Sequence, residues 1–373
     1  MTLSCSFAWI RHLVACLLLI GLVVGHDSTV FADKPTKIVR YEGRLEVQPN
    51  GDVIAREQMH FPTLAYFEAK NQHGGPVALF RMLQQSFAWS VTEDMKFQLD
   101  DHNSRLNVDF RQIGAVRSIG NNRWSLDFIN GAEMELVSIQ DNKVVLTGAT
   151  ESGFGVMSHT TYVTLPSTSS DIKLTKNGKG IEYVYEPPLE PGDECQATFD
   201  LESKKHLMSS LASVYSNREF PQFWAARSIF KNSGDQLIKR YRVRFRVPNH
   251  TGWSEWAKSE RVYPGQTVID PYFPVFDLES ISKLTTSRRI AVEIEYEYQR
   301  ADGETIKETE TTRLELLARN QVVFGGRENG ESITWHEQNE YLPFVMAAFC
   351  TSDDPVIQQL AGRVSGMGNG LAA

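Results

Sequence analysis

Between residues 239 and 247 the chain alternates strictly: Lys239, Arg240, Tyr241, Arg242, Val243, Arg244, Phe245, Arg246, Val247. Arginine holds one parity and a bulky apolar residue the other. Residues 292–298 repeat the pattern in acid, with Glu293, Glu295 and Glu297 between Val292, Ile294, Tyr296 and Tyr298. A period of two puts successive side chains on opposite faces of a strand, so each segment has one buried and one charged face. The opposite charges predict that the two strands are antiparallel neighbours in one sheet. Between them lie Trp253-Ser254-Glu255-Trp256 and the turn Pro264-Gly265.

Similar patterning extends over most of the chain. Residues 38–47 and 52–60 flank Pro49-Asn50-Gly51, a hairpin signal, and Arg44, Glu46, Arg56 and Gln58 mark a wet face. The period then changes: Val77, Leu79, Phe80, Leu83 and Phe87 predict a helix over 76–87, with Pro76 in its first turn. Short strands follow at 105–110, 123–128, 133–138, 143–147, 160–165, 171–175 and 180–185. Asn130-Gly131, Asp141-Asn142 and Lys176-Asn177-Gly178 read as the turns between neighbours. Such spacing predicts an antiparallel meander or β-sandwich over 36–188, ended by the proline-rich stretch 186–192.

Leu207, Leu211 and Val214 stand at helical spacing, which predicts an amphipathic helix at 204–215 within a helical connector, 195–222. A second β domain is expected over 223–325, starting with a strand at 224–230 and ending at 304–317. Seven strands in about a hundred residues is the size of an immunoglobulin or fibronectin module. The tail, 326–373, reads as helical: 341–350 is apolar, Asp354 and Pro355 suit a helix start, and Gly366, Gly368 and Gly370 end it. The predicted fold class is mainly β, with two antiparallel β-sandwich-like domains in tandem and the second immunoglobulin-like.

Composition narrows the setting. Hydrophobic content of 41% and charged content of 23% over 373 residues describe an ordinary globular protein. A formal charge of −8 argues against nucleic acid as a partner. Arg11 and His12 precede 13–25, thirteen small and apolar residues, and Val30-Phe31-Ala32 resembles a cleavage site before Asp33. That run is short for a membrane span, so residues 1–32 read as a secretory signal peptide, with an uncleaved anchor as the alternative. Leu13-Val14-Ala15-Cys16 mimics a lipoprotein signal but sits at the wrong end of the apolar run. Export to the periplasm, cell surface or medium is therefore expected, with no membrane span after removal of the signal. Cleavage leaves Cys195 and Cys350, read as two separate buried cysteines, with a disulfide as the alternative.

Candidate chemistry is sparse. The sequence has no H-E-x-x-H, P-loop, G-x-S-x-G or paired C-x-x-C motif, and His60, His73, His102, His159, His206, His250 and His336 are isolated. Asp100-Asp101-His102-Asn103 is the most metal-like cluster and reads as a solvated turn. Cys350 sits among apolar residues, which would raise a thiol pKa, and no histidine follows it. No catalytic residue, metal or cofactor is assigned. The row Arg240, Arg242, Arg244 and Arg246 admits two readings: a strip for an anionic polymer, or a structural ladder with the three glutamates and with Trp253 and Trp256.

Trp253-Ser254-Glu255-Trp256-Ala257 resembles the W-S-x-W-S box of cytokine-receptor fibronectin domains, with Ala257 in place of the last serine. The resemblance implies arginine–tryptophan stacking. The tryptophan-led strand, the WSEW turn, PGQTVIDPYFPVFD, LLARNQVVF and FCTSDDPVIQQLA together resemble secreted bacterial proteins of the planctomycete type. Those carry an immunoglobulin-like module, in some cases ahead of a transglutaminase-like hydrolase domain. The resemblance spans residues 224–362, and no residue here matches that domain's Cys–His–Asp site. The expected function is non-enzymatic binding or scaffolding of envelope components, with other envelope proteins or polysaccharide as partners. The alternative is the non-catalytic front part of an envelope hydrolase.

Overall fold

A computed structural model describes residues 38–321 except 73–75, 78–79, 81–89, 128–133, 153–154, 177, 190–191, 193, 219–222 and 320; it also describes 327–328 and 331–332. The protein is mainly β. Its described residues form two hydrophobic cores, each fed by two sheets.

The first core lies under a seven-stranded sheet whose central strands are β1 (Ile38–Val47) and β2 (Val53–His60). Beyond β2 come β4 (Arg105–Gln112) and then β3 (Thr92–Asp100). Beyond β1 come β9 (Gly155–Thr164), β8 (Lys143–Ser152) and the edge strand β7 (Glu135–Gln140). A four-stranded sheet faces it, ordered β10 (Ser170–Leu174), β11 (Gly180–Val184), β6 (Arg123–Asp127) and β5 (Val116–Ser118). Leu45, Val53, Val108 and Leu146 from the larger sheet and Trp124, Leu126, Ile181 and Tyr183 from the smaller share this core. Gly51 closes the β1–β2 turn at φ +84°, where a Cβ would lie 3.0 Å from the Val116 carbonyl oxygen. Only glycine fits there without strain.

The second core lies between β12 (Ala197–Ser203), β14 (Ala226–Asn232) and β17 (Thr267–Tyr272) on one side and a five-stranded sheet on the other. That sheet runs β13 (His206–Met208), β19 (Thr305–Leu317), β18 (Arg288–Gln299), β15 (Arg240–Arg246) and β16 (Ala257–Ser259). Three aromatic pairs bridge the sheets nearly face to face: Phe199 on Tyr296 at 3.9 Å, Phe230 on Tyr241 at 4.0 Å and Phe245 on Tyr272 at 5.2 Å. Tyr241, Phe245 and Tyr296 come from the apolar parity of the two predicted alternating strands, whereas Phe199 and Tyr272 come from β12 and β17, which the sequence reading did not predict.

Several sequence expectations need correction. The pairing is not wholly antiparallel, since β1 runs parallel to β9 and β13 parallel to β19. Asn130-Gly131 does not join hairpin partners: β6 pairs with β5 and β11 while β7 pairs with β8 in the other sheet. A turn signal specifies a bend, but the apolar face decides the sheet, and Trp124 and Leu126 belong under the smaller one. The connector is not helical. Its 204–215 segment forms β13, a 3-10 turn at Ser209–Leu211 and a single helical turn at Ala212–Tyr215. Leu207 and Met208 are buried alongside β19, and the Tyr215 hydroxyl accepts from the Met208 N–H at 2.9 Å, so tertiary pairing overrides helical spacing. A helix at Thr63–Gln72 directly follows β2, where none is predicted. Of the helix expected at 76–87, residues 76, 77 and 80 are described and helical. The strand expected at 224–230 runs Ala226–Asn232. The expected helical tail lies outside the described residues, apart from a two-residue pairing of β20 (Arg327–Glu328) with β21 (Glu331–Ser332). Among the described residues no helix is long and apolar enough to cross a membrane.

Candidate functional site

The arginine row lies on the outer face of β15. Tyr241, Val243 and Phe245 point into the second core, which forces the arginines outward. Antiparallel register with β18 sets Arg242 opposite Glu297, Arg244 opposite Glu295 and Arg246 opposite Glu293. Arg242 Nε lies 2.5 Å from Glu297, Arg244 Nε donates to Glu295 at 2.8 Å, and Arg246 Nε donates to Glu293 at 2.6 Å. The next strand, β19, continues these rows with Lys307, Thr309 and Thr311. Glu297 is the hub. Its side chain is 3% exposed and also meets Arg240 and Lys307, each at 3.5 Å. The Arg242 guanidinium is the main cause that holds its carboxyl below the usual range.

The tryptophans fill the gaps between guanidiniums. Arginines two apart on a strand stand about 6.8 Å from one another, enough for one flat ring between two planar cations. Trp256 lies 4.3 Å from Arg242 and 4.5 Å from Arg244. Trp253 lies 4.7 Å from Arg244 and 4.4 Å from Arg246. The stack therefore runs Arg242, Trp256, Arg244, Trp253, Arg246. Ser254 holds the loop in place, its N–H donating to the Phe245 carbonyl at 2.7 Å and its hydroxyl accepting from the Phe245 N–H at 3.0 Å. Thr251 anchors the start of the loop through the Val247 N–H at 2.8 Å and the Tyr272 hydroxyl at 2.9 Å. The serine between the tryptophans thus stands in for a strand partner.

This arrangement leaves little for a ligand. Arg242 and Arg244 have both faces or edges engaged by rings and carboxylates, and Arg240, at the end of the row, is the most open. Elsewhere, Asp100-Asp101-His102-Asn103 forms a turn in which Asp100 pairs with Arg105 at 3.0 Å and Asp101 with Lys70 at 2.6 Å. No group of three metal-ligating side chains occurs among the described residues. Cys195 is a half-buried free thiol whose pKa burial pushes up, the opposite of an activated nucleophile. Cys350, His73 and His336 lie outside the described residues.

Two features escape sequence reading. Glu57 is buried on the inner face of β2, where the Tyr41 hydroxyl is the polar group that bears on its carboxylate. Burial drives its pKa well above the ordinary carboxylate range. On neighbouring strands are buried Tyr41 and His159, their rings 5.4 Å apart, and burial lowers the histidine to about 4. Gly43 sits opposite Glu57 and leaves room for Tyr41, whose hydroxyl oxygen would be 3.0 Å from a Cβ there. The signal was present: Arg56-Glu57-Gln58 breaks the alternation, so one of the three had to face inward. The second feature is a polar groove on the outer face of the same sheet, between Glu42, Arg44, Arg56, Gln58, Gln98, Arg105, Asn107 and Asp109. Its residues come from three predicted segments and from β3, and only strand order brings them together. The chain matches no known protein family and no curated protein.

Proposed function

We propose that this is an exported, non-enzymatic protein of the bacterial envelope that binds or scaffolds other envelope components. In this reading residues 1–32 direct export, the first unit is a β-sandwich, and the second is an immunoglobulin-like β-sandwich. The observation that carries it is the arginine ladder: each inner guanidinium is matched by a ring and a carboxylate of the same unit. The most chemistry-like cluster in the chain thereby supports a rigid module, and rigid β modules present surfaces to partners. The resemblance over 224–362 supports a second reading, a non-catalytic front part of a transglutaminase-like envelope hydrolase.

The first test is export. Expressed in a bacterium, the protein should be recovered outside the cytoplasm with Asp33 at its amino terminus; cytoplasmic material retaining Met1 would overturn export. The second is co-sedimentation of the purified protein with insoluble bacterial envelope material. Depletion from the supernatant supports binding, and complete recovery there refutes it. A reading frame continuing past Ala373 into a Cys–His–Asp domain would favour the hydrolase reading.

A further inference from the structure

The outer face of the seven-stranded sheet carries chemistry that the fold leaves unused. Its groove measures about 340 Å³ and crosses four strands. Glu42, Gln58, Asn107 and Gln98 form one row across β1, β2, β4 and β3. At about 4.8 Å per strand this row spans roughly 14 Å. Two residues along, Arg44, Arg56 and Asp109 form a second row, which Tyr162 of β9 extends at one end. The groove is thus floored by amides and walled by charges of both signs.

Unmatched atoms distinguish this groove from an ordinary wet sheet face. Asn107 Oδ1 and Arg105 Nε are both shielded from solvent, and neither has a hydrogen-bond partner among the described residues. One is an acceptor and the other a donor. Leaving such atoms without a partner is unfavourable. A turn of either side chain would bring these atoms to the groove, where a hydroxyl, which both donates and accepts, suits each of them. Arg56 and Asp109 likewise form no ion pair among the described residues, whereas Arg44 pairs with Glu42 at 2.8 Å and Arg105 with Asp100. Lys96 of β3, opposite Asp109, is a further cation with no ion pair among the described residues, so the unengaged charges are of both signs. Tyr162 is 41% exposed on the same face, with Arg44 5.9 Å from its ring centroid. An aromatic ring beside a row of amides suits a ligand with apolar C–H faces and polar edges.

We infer that this groove binds an extended saccharide chain, its hydroxyls engaging Gln58, Asn107, Gln98 and Arg105 and a sugar face resting on Tyr162. The proposal deepens the binding function above by giving it a site and a ligand class, and it rests on that reading for its biological setting. Nothing in the arginine ladder of the second unit takes part.

The test is native gel electrophoresis of the purified protein in gels cast with hydroxyethylcellulose, xylan or alginate. Migration should slow in at least one polymer, and the Gln58→Ala/Asn107→Ala double variant should migrate as in a polymer-free gel. Tyr162→Ala should weaken retardation several-fold, while Arg240→Ala, on the other unit, should leave it unchanged. The substitutions lie on an outer polar face, and an unchanged melting temperature checks folding. For a destabilised double variant, the single variants Gln58→Ala and Asn107→Ala replace it, and each should weaken retardation several-fold. Equal mobility in all gels would overturn the saccharide site, as would retardation that survives both variants. Retardation in alginate alone, abolished by 0.3 M salt, would reveal ionic adsorption and overturn it too. Co-sedimentation with envelope material is independent of these outcomes: persistence in the groove variant with no retardation in gels would sink the saccharide site and leave the binding function standing.

Discussion

Trp256 touches two guanidiniums at once, and each contact of this type contributes about 0.5–1 kcal/mol at a partly exposed site. Trp256→Ala should therefore lower stability by about 2 kcal/mol in urea denaturation, once lost packing is included. A double-mutant cycle with Arg244→Ala should give a coupling of about 1 kcal/mol, because the two side chains meet directly. Additive losses would mean that the stack is geometry without energy. Two titrating groups act with opposite signs in the first core. His159 is held at about 4 against an ordinary 6.5, so its contribution is complete above pH 6.5 and declines as pH falls towards 4. At 1.36 kcal/mol per unit the full decline is about 3 kcal/mol. Glu57 is raised, so its contribution is complete below pH 4.5 and declines as pH rises through its folded value. His159→Asn should flatten urea midpoints between pH 6.5 and 4, and Glu57→Gln should raise stability at neutral pH relative to acid. Unaltered pH profiles in both variants would contradict these assignments.

At the scale of elements, Ser254 decides whether the tryptophan loop lies on β15. Ser254→Ala removes the acceptor for the Phe245 N–H. The expected loss is about 1 kcal/mol, with hydrogen exchange at the Phe245 amide accelerated while the Ile294 amide in β18 keeps its protection. Equal acceleration at both would make the effect global rather than local. The strands of the ladder were legible because their alternation is strict and their charges complementary. The same pattern fixes the parity of their pairing, since a slip of one residue would bury the arginines, but not the register itself, since a slip of two would still set Arg244 against a glutamate. What was not legible depends on distance along the chain. The parallel pairing of β1 with β9 joins segments more than a hundred residues apart, and no turn residue encodes it. Ala197–Ser203 does alternate, as Thr198, Phe199, Asp200, Leu201 and Glu202, yet the helical spacing of Leu207, Leu211 and Val214 obscured it. The groove was invisible for a related reason: Gln58, Asn107 and Gln98 look like solvated positions until strand order sets them side by side.

The two cores are not independent at the scale of the molecule. Tyr263, from the second unit, is buried in the first core with its ring 5.8 Å from Trp124, and its hydroxyl donates to Asn122 at 3.3 Å. Asn50 in the β1–β2 turn donates to the Gly265 carbonyl at 3.2 Å. Between these contacts Arg117 of β5 reaches Asp270 of β17 at 3.2 Å. Asp270 is buried, and burial raises its pKa although the guanidinium opposes the rise. Asp127, on β6, is likewise pushed up to about 6 by burial and also lies in the field of Arg117. Arg117→Ala should therefore cost more at pH 7 than at pH 4, because only the ionised carboxylates miss the cation. At pH 7 the expected loss is about 3–5 kcal/mol, the range for leaving a buried carboxylate unpaired. If this contact couples the units, calorimetry of the variant should resolve two transitions where the parent gives one. Asp270→Asn removes the charge that needs Arg117, so the double variant Arg117→Ala/Asp270→Asn should be more stable at pH 7 than Arg117→Ala alone. Equal losses at both pH values, without rescue by Asp270→Asn, would show that Arg117 acts through packing rather than charge, and that Tyr263 and Asn50 carry the junction.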